Sequence, residues 1–359
     1  MDQALQKSPT LQDLAESLGM HKSTVSLALS GKGNVSQATR TRVLTAAREL
    51  GYQPNPLAQH LARGYRSDLV CLFTGALDVG LTTQKLLAIQ GALSARELDV
   101  PLYISASRDD THESSQVQQV RQLRRQRPRA IVCGAHSLEA AVFRELDGYQ
   151  REGGTVVSYD LPVPLECDQV LFDREDNAYR AARYLLERGH RNLGFAISNV
   201  QGPVSGTFSD PVQARLQGFR RALSEYGLSM RDDWFFPNST YERGGAEMAH
   251  LFLHLRERPT AVCIVNDYVA LAFMVEVMRA GLRVPEDVSI VSHDNQPVAN
   301  YCPVPLTSVE HPAERIVETV VRLLEERITG RIPADTPPRR VNLTGELVER
   351  SSVMPLAHP

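Results

Sequence analysis

The stretch TLQDLAESLGMHKSTVSLALSGKGNVSQATRTRVLTAARELGYQPNPLAQHLA, residues 10–62, decides the fold of the first part of this chain. Thr10 is a plausible N-cap for a helix whose apolar residues recur on one face, and Gly19 is placed to end it. Ser36 is placed to cap a later helix, which Gly51 would end. Another short helix fits between these two. The segment therefore predicts three helices in a helix-turn-helix arrangement.

The predicted middle helix, about Lys22 to Leu29, has two different faces. Its apolar positions, Val25, Ala28 and Leu29, are spaced to pack on the first helix. The opposite face would enter a DNA major groove and carries Lys22, Ser23, Ser26 and Leu27. The third helix is expected to complete a small core with Val43, Leu44, Ala47 and Leu50. A helical bundle without a DNA role would show the same periodicity and remains the alternative.

This head closely resembles the lactose-repressor/galactose-repressor (LacI/GalR) family of bacterial transcription regulators. The resemblance runs through TLQDLAESLG, STVSLAL, NVSQATRTRV, ELGYQPN and PLAQHLA in consecutive register. It implies DNA contacts by Thr10, Lys22, Ser23, Thr24, Ser26, Leu27, Asn34, Thr39, Gln59 and Leu61. It also implies a hinge helix after Pro56, with Leu61 of each protomer in a dimer wedged into the minor groove. The alternative is a linker in which Leu61 packs on the rest of the protein.

Composition separates the head from the rest of the chain. The 359 residues, 42% of them hydrophobic, are enough for a sizeable core and more than one domain. Residues 1–63 carry seven Lys and Arg against four Asp and Glu, a net charge of +3, so the remainder carries −6. A basic head on an acidic body favours attachment of one end to a polyanion.

Targeting and cysteine patterns indicate a cytoplasmic protein. The first ten residues, MDQALQKSPT, contain no apolar signal segment, and no apolar run approaches the ~18 residues of a membrane span. The cysteines lie far apart, without zinc or disulfide spacing, at Cys71, Cys133, Cys167, Cys263 and Cys302. We expect them to be small buried hydrophobic residues.

From Asp68 onward, apolar strands alternate with amphipathic helices. One series runs from LVCLF to TVVSYD and a second from QVLFD to VSIVSHD. This alternation predicts an α/β fold with two lobes, each a doubly wound parallel sheet. The family resemblance continues through RYLLERGHRNLGF, ARLQGFRRAL and PTAVCIVNDYVALAF. It implies a two-lobe, periplasmic-binding-protein-like body joined to the helix-turn-helix head and hinge helix.

Domain borders follow from the three lobe crossings that are typical of the family. The expected segments are a head at 1–53, a hinge or linker at 54–66, a first lobe at 67–165 and 303–330, and a second lobe at 166–302 and 331–359.

Polar residues at predicted strand ends mark a candidate effector pocket, because open parallel sheets bind ligands beyond the carboxyl ends of their strands. The candidates are Asp160, Arg215, Asn266, Asp267 and Asp294. The resemblance implies effector contacts by Arg215 and Asp294, whose donors and acceptors suit hydroxyls of a sugar-like or nucleoside-like ligand. Alternatively, such Asp residues cap helices and the Arg forms a surface pair. Ser292 and His293 replace the family's usual Gly and aromatic residue, which leaves the ligand open.

Sequence features that would indicate an enzyme, a metal site or a second nucleic-acid-binding surface are weaker. His250 and His254 are four residues apart but lack the Glu of a zincin motif, and no phosphate loop, GxGxxG or GxSxG motif is present. We therefore predict no enzyme activity, cofactor or metal. The basic run RQLRRQRPR, residues 121–129, could attract nucleic acid but is more typical of a solvated helix face.

The sequence thus predicts a transcription regulator that binds near-palindromic double-stranded operator DNA and is controlled by a small metabolite. The family's habit favours a repressor. A solute-binding protein of the same body fold, without gene regulation, is the main alternative, followed by an enzyme on a doubly wound sheet. The last residues, VERSSVMPLAHP, carry no leucine heptad, which favours a homodimer over a tetramer bundled through its tails.

Overall fold

A computed structural model describes most of the chain. The described residues are 9–30, 35–52, 66–75, 77, 80–105, 114–135, 138–198, 211–238, 241–333 and 335–356. The chain divides into two compact units, one of residues 1–67 and 325–337 and one of residues 68–324 and 338–359.

The head consists of the helices α1 (Leu11–Leu18), α2 (Lys22–Ser30) and α3 (Gln37–Glu49). Thr10 forms a capping box with Asp13: its hydroxyl accepts from the Asp13 N–H, and the Asp13 carboxylate accepts from the Thr10 N–H at 2.7 Å. The three helices enclose a core of Leu14, Ala15, Leu18, Val25, Ala28, Val43 and Ala47. The predicted three-helix head is confirmed, whereas the predicted hinge helix lies outside the described residues.

Two leucines predicted for this core lie outside it. Leu44 is 42% exposed and Leu50 is 40% exposed. Val43 and Ala47, one helical turn apart, point into the core, so the neighbouring Leu44 is rotated away from it by about 100°. Leu50 follows the last helical residue as the C-cap and is no longer held against the other helices. The core of the head is therefore smaller than the sequence suggests.

The body is a βα alternation, as predicted. Its strands are β1 (Arg66–Thr74), β2 (Leu102–Ile104), β3 (Pro128–Gly134), β4 (Thr155–Asp160), β5 (Asp168–Phe172), β6 (Leu193–Ser198), β7 (Phe235–Asn238), β8 (Ala261–Ile264), β9 (Ser289–Asp294), β10 (Thr307–Glu310), β11 (Arg340–Leu343) and β12 (Leu347–Val348). Its α-helices are α4 (Leu81–Ser94), α5 (Ser115–Arg125), α6 (Ala140–Arg151), α7 (Arg174–Glu187), α8 (Pro211–Glu225), α9 (Tyr241–His254), α10 (Asp267–Arg279), α11 (Val298–Tyr301) and α12 (Ala313–Ile328).

These strands form two six-stranded sheets. The first sheet has the order β11-β5-β4-β3-β1-β2 and the second the order β12-β10-β9-β8-β6-β7. The strand pairs described are parallel except β10 with β12. The first lobe is the part of the body built on the first sheet, and the second lobe is the part built on the second. The predicted α/β architecture with two parallel-dominated sheets is confirmed.

Central strands are apolar along their length because both faces are covered. In β3 the run Ala130, Ile131, Val132 and Cys133 is fully buried, as expected for a parallel strand between helix layers. The five cysteines are buried and form no disulfide with one another, in agreement with their predicted role as small hydrophobic residues. Within the described residues, no helix has the length and apolar character that a membrane crossing requires.

The sheets place the lobe crossings later in the chain than predicted. The predicted borders lie after residues 165, 302 and 330. In the structure β5 pairs with β4 in the first sheet, through Asp160 and Leu171, and β10 pairs with β9 in the second sheet. Each of these strands satisfies backbone groups of its neighbour, so the chain leaves a sheet only past the strand's carboxyl end. The crossings therefore follow Phe172, Glu310 and Leu343.

Candidate functional site

The outer face of α2 carries the residues predicted to read DNA. Lys22, Ser23 and Ser26 are exposed, and Leu27 is 43% exposed, although leucine is usually buried. Val25, on the opposite face, is fully buried. The helix thus presents a mixed polar and apolar surface of the kind that fits a major groove.

The other predicted DNA contacts lie around α2 or outside the described part. Thr10 is exposed beside the start of α1, Thr24 is half-buried, and the Thr39 hydroxyl lies 2.8 Å from the Ser36 hydroxyl at the start of α3. Helix N-termini and hydroxyl groups of this kind are common phosphate ligands. The remaining predicted contacts, Asn34, Gln59 and Leu61, lie outside the described residues.

In the body, the predicted pocket residues end strands or begin helices at the carboxyl edges of the two sheets. Asp160 ends β4 and Asp294 ends β9, while Asn266 and Asp267 follow β8. Asp160, Asn266 and Asp294 have φ angles of 80°, 100° and 97°, a region that residues other than glycine rarely adopt. Such backbone strain is concentrated at functional sites, which supports a binding role for this edge.

Asp160 is held in a buried charged cluster. The Lys85 ammonium donates to both Asp160 carboxylate oxygens, at 2.6 and 2.5 Å, and to Nε2 of His311 at 2.9 Å. Its three donors therefore have three acceptors. Arg174 donates to the backbone oxygens of Asp160 at 2.9 Å and of Phe172 at 3.4 Å. The Asp160 side chain is thus engaged within the protein, at the floor of the candidate pocket.

Burial sets the protonation states in this cluster. Burial lowers the pKa of Lys85, whereas the Asp160 carboxylate raises it. Burial and repulsion by Lys85 lower the pKa of His311 to about 3. The imidazole is therefore neutral at physiological pH, which is the state in which its Nε2 can accept from Lys85. One ammonium and one carboxylate thus share a buried site with a neutral histidine.

Arg215, on α8, lies in the electrostatic field of Arg174 and Asp294. Its Nε is buried and has no hydrogen-bond partner among the described residues. Burial and repulsion by Arg174 lower the pKa of Arg215 to about 9, so the guanidinium stays charged at neutral pH. A buried N–H donor without an acceptor is costly, so the Arg215 Nε would gain from an acceptor that a ligand supplies.

Asn266 positions Asp294, while Asp267 supports the backbone behind them. The Asn266 amide donates to Asp294 at 3.4 Å, and its oxygen caps α10 by accepting from the Tyr268 N–H at 2.8 Å. Asp267 is fully buried and accepts from the Ser292 and Ser308 hydroxyls and from the Gln296 N–H. These contacts favour effector contact by Asp294 and a structural role for Asp267.

Several contacts join the two lobes at this edge. Gln84 in the first lobe donates to Gln296 in the second at 3.3 Å. Arg174 begins α7, which packs against strands of the second sheet, and reaches the Asp160 backbone in the first lobe. His311 follows β10 of the second sheet and contacts Lys85 of the first lobe. A ligand that rearranged these contacts would change the angle between the lobes.

Sequence reasoning missed Lys85, Arg174 and His311. A signal was present for Lys85: it occupies the inward stripe of α4 with Thr82, Leu86, Ile89 and Leu93, where a charge is out of place. Arg174 and His311 offer no such signal, because each follows a strand in the way that ordinary helix-capping and turn residues do.

Two weaker sequence features have structural explanations. Arg121 and Arg124 of the basic run form ion pairs with Glu145 on α6 at 2.9 and 2.6 Å, as expected for a solvated helix face. His250 and His254 are exposed, with ring centroids 4.4 Å apart. Among the described residues, no three potential metal-ligating side chains come together.

Comparisons with known proteins agree with both parts of this architecture. Residues 10–55 match the family described as "Bacterial regulatory proteins, lacI family", and residues 182–353 match "Periplasmic binding protein-like domain". The chain is 27% identical over 348 residues to the HTH-type transcriptional repressor PurR of Vibrio cholerae, covering 97% of this chain and 98% of that protein. The PurR repressor of Yersinia enterocolitica is 26% identical and is covered to 96%.

Solved structures of transcriptional regulators also match this chain over most of its length. The transcriptional regulator CelR in complex with cellobiose matches with a TM-score of 0.67 and 27% identity, over 96% of this chain and 99% of that one. The lac repressor dimer bound to operator and an anti-inducer matches with a TM-score of 0.65 and 24% identity, over 97% of this chain and all of that one.

A helix-turn-helix head joined to a two-lobe binding body defines a metabolite-controlled, DNA-binding transcriptional regulator. The head matches the lacI family model at residues 10–55, and nearly the whole chain is similar to transcriptional repressors and regulators. The two PurR relatives named above are transcriptional repressors.

Proposed function

We propose that the protein represses transcription in the cytoplasm and that a sugar-like or nucleoside-like metabolite bound between the two lobes sets its operator affinity. The observation that carries this proposal is the set of side chains that meet across the lobes at the carboxyl edges of both sheets, including Asp160, Arg174 and His311. A ligand at this edge contacts both lobes and therefore stabilises one lobe angle over another.

The proposed operator contacts begin with α2. Lys22 and Ser23 stand at its start, where recognition helices contact base edges, and Leu27 offers apolar contact to a thymine methyl group. The exposure of these three residues supports the assignment. The remaining proposed contacts are Thr10, Thr24, Ser26, Asn34, Thr39, Gln59 and Leu61.

We place the effector against Arg215, Asp294 and Asn266, with Asp160 at the pocket floor and Asp267 behind it. Arg215 brings a buried Nε that has no acceptor among the described residues, and Asp294 brings a carboxylate held by Asn266. A fork of donors beside a carboxylate suits a ligand with adjacent polar groups. Among the five candidates, Asp160 and Asp267 have the most internal partners and therefore the least capacity for direct contact.

A homodimer fits a near-palindromic operator, because a two-fold protein reads two-fold DNA. On the body, α10 contributes Tyr268, Leu271, Ala272 and Val275 to a shallow apolar depression. Tyr301, at the end of α11, which packs against α10, is 85% exposed. We propose that this surface contributes to the dimer interface. Two hinges of the dimer then place their Leu61 side chains together in the minor groove.

Selection from random double-stranded DNA, followed by a bending assay, tests the proposal. Wild type should enrich a near-palindromic sequence and bend it. Leu61→Ala should lose the bend and most of the specific affinity without losing ligand binding, because the wedge is removed and the body is untouched. Failure to enrich any motif would favour the solute-binding alternative, and unchanged mobility of the Leu61→Ala complex would contradict the hinge assignment.

A further inference from the structure

Among the described residues, the candidate pocket contains more cationic than carboxylate side chains. Its cations are Lys85, Arg174 and Arg215, and its carboxylates are Asp160 and Asp294; they act electrostatically on one another. The Lys85 ammonium binds both oxygens of Asp160, which uses one cation and one carboxylate. Arg174 interacts electrostatically with both Asp160 and Asp294, whereas for Arg215 the attracting carboxylate is Asp294.

Neighbouring titratable groups do not remove this excess. His293 and His311 are buried, and burial lowers their pKa values to about 4 and about 3, so both are neutral at physiological pH. The Asp267 oxygens accept hydrogen bonds from the Ser292 and Ser308 hydroxyls and from the Gln296 N–H. Burial and repulsion by Asp294 also raise the pKa of Asp267 to about 7.

Arg215 is the group that most needs a further partner. No carboxylate of the described part of the chain lies within ion-pair distance of it, and its buried Nε donates to nothing there. By contrast, exposed arginines such as Arg151 and Arg180 have carboxylate partners at 2.5 Å. A guanidinium presents paired donors whose geometry matches the two oxygens of a phosphate or carboxylate.

We propose that the effector is an anion: a small metabolite whose phosphate or carboxylate group binds Arg215 beside Arg174, while its hydroxyl or ring polar groups face Asp294 and Asn266. This inference rests on the proposed function, since it names the ligand class of the same pocket. The ligand's oxyanion supplies acceptors to Arg215, and its remaining polar groups lie against the Asn266–Asp294 pair.

The first test uses inorganic phosphate as the probe. The thermal unfolding midpoint of the full chain is measured at neutral pH in sodium phosphate and in sodium chloride of the same ionic strength. Wild type and Arg151→Met, an exposed control, should be stabilised by phosphate relative to chloride. Arg215→Met should lose this difference, and Arg215→Lys, which keeps the charge but not the paired donors, should keep part of it. Equal midpoints in the two salts for wild type, or an unchanged difference in Arg215→Met, would overturn the inference.

The second test compares matched neutral and anionic ligands by calorimetry: glucose with glucose 6-phosphate and gluconate, and ribose with ribose 5-phosphate. At least one anion should bind wild type about tenfold or more tightly than its neutral parent, and Arg215→Met should remove that preference. A phosphate that binds without its carboxylate counterpart, or the reverse, identifies which oxyanion the pocket takes. Neutral parents that bind as tightly as every anion would overturn the inference.

Operator affinity, measured on the same preparations, separates this inference from the proposed function. If a neutral compound shifts operator affinity and no anion binds, the result supports the proposed metabolite-controlled regulator and contradicts the proposal that its effector is an anion. If an anion binds through Arg215 but leaves operator affinity unchanged, the result supports an anionic ligand and contradicts the proposed control of DNA binding by that ligand.

Discussion

Asp160 illustrates how single residues define the pocket floor. A strand-end Asp is usually a helix cap or a ligand contact, but here its carboxylate is bound by Lys85 and its backbone oxygen by Arg174. A buried ion pair gains little net stability over an apolar pair, because desolvation offsets the attraction. Its value is geometric: the pair lies in the first lobe and gives Arg174 and His311 of the second lobe a fixed contact point, next to the groups that we assign to the effector.

His311 should make the protein sensitive to acid. It faces Lys85, Asp160, Arg174 and the Phe172 ring, and its folded pKa of about 3 is well below that of an unfolded histidine. A depressed folded pKa contributes stability that is present above about pH 6.5 and is lost as the pH falls toward 3. Between neutral pH and about pH 5, His311 should account for the loss of about 2 kcal/mol of unfolding free energy.

Denaturant unfolding of wild type and His311→Asn at several pH values measures this contribution. The variant should lose less stability on acidification than wild type, whatever its stability at neutral pH. His254→Asn, which replaces an exposed histidine, serves as the control and should follow the wild-type profile. Parallel profiles for wild type and His311→Asn would show that His311 does not titrate as its surroundings require.

At the scale of elements, the second lobe depends on two closely packed helix pairs. A Cβ at Gly218 of α8 would overlap the backbone oxygen of Glu175 on α7, and a Cβ at Gly245 of α9 would overlap the backbone of α10 at Val269. Glycine is therefore required at both positions because it lets two helix backbones approach, not because of its φ angle. These pairs position Arg215 and the Asn266 cap at the pocket.

Gly218→Ala should destabilise the protein by about 1–3 kcal/mol, because the methyl group forces α7 and α8 apart. Gly91 of α4 is the matched control, since a Cβ there meets nothing within 4 Å. Gly91→Ala should stabilise by about 0.5–1 kcal/mol through helix propensity. Denaturant midpoints with unchanged slopes measure both effects, and equal midpoints for the two variants would contradict the close packing.

For the recognition helix, Lys22→Ala should change the DNA sequence preference, because the ammonium is placed to donate to base acceptors in the major groove. Binding-site selection on wild type and the variant provides the measurement. Arg48→Ala, which removes an exposed charge at the far end of α3, should return the wild-type motif. If Lys22→Ala also returns the wild-type motif with uniformly weaker binding, Lys22 contacts phosphate rather than bases.

The sequence predicted the individual helices and strands better than it predicted which distant segments of the chain contact one another. Caps at Thr10 and Ser36 and the alternating strands and helices are local signals, and the structure contains them. Pairing between distant strands leaves no local trace, which is why the predicted lobe borders fall several residues early. The partners of Asp160 come from α4, α7 and the segment after β10, so only the folded chain brings them together.

At the scale of the whole molecule, control of DNA binding requires reciprocal linkage. A ligand that changes operator affinity must have its own affinity changed by operator to the same extent, and typical couplings of about 1–3 kcal/mol correspond to 5–150-fold. The contacts between the lobes, Gln84 with Gln296 and Lys85 with His311, are where such a change would begin.

The most direct test of metabolite control is operator affinity, measured with and without a compound that calorimetry has found to bind the body. Fluorescence anisotropy on the selected operator gives both values for wild type and for Arg215→Met. We predict a change of about 5-fold or more for wild type and none for the variant, whose affinity without ligand should match that of wild type. Wild-type operator affinity that stays the same at saturating ligand, or a variant that responds with the wild-type midpoint, would contradict this account.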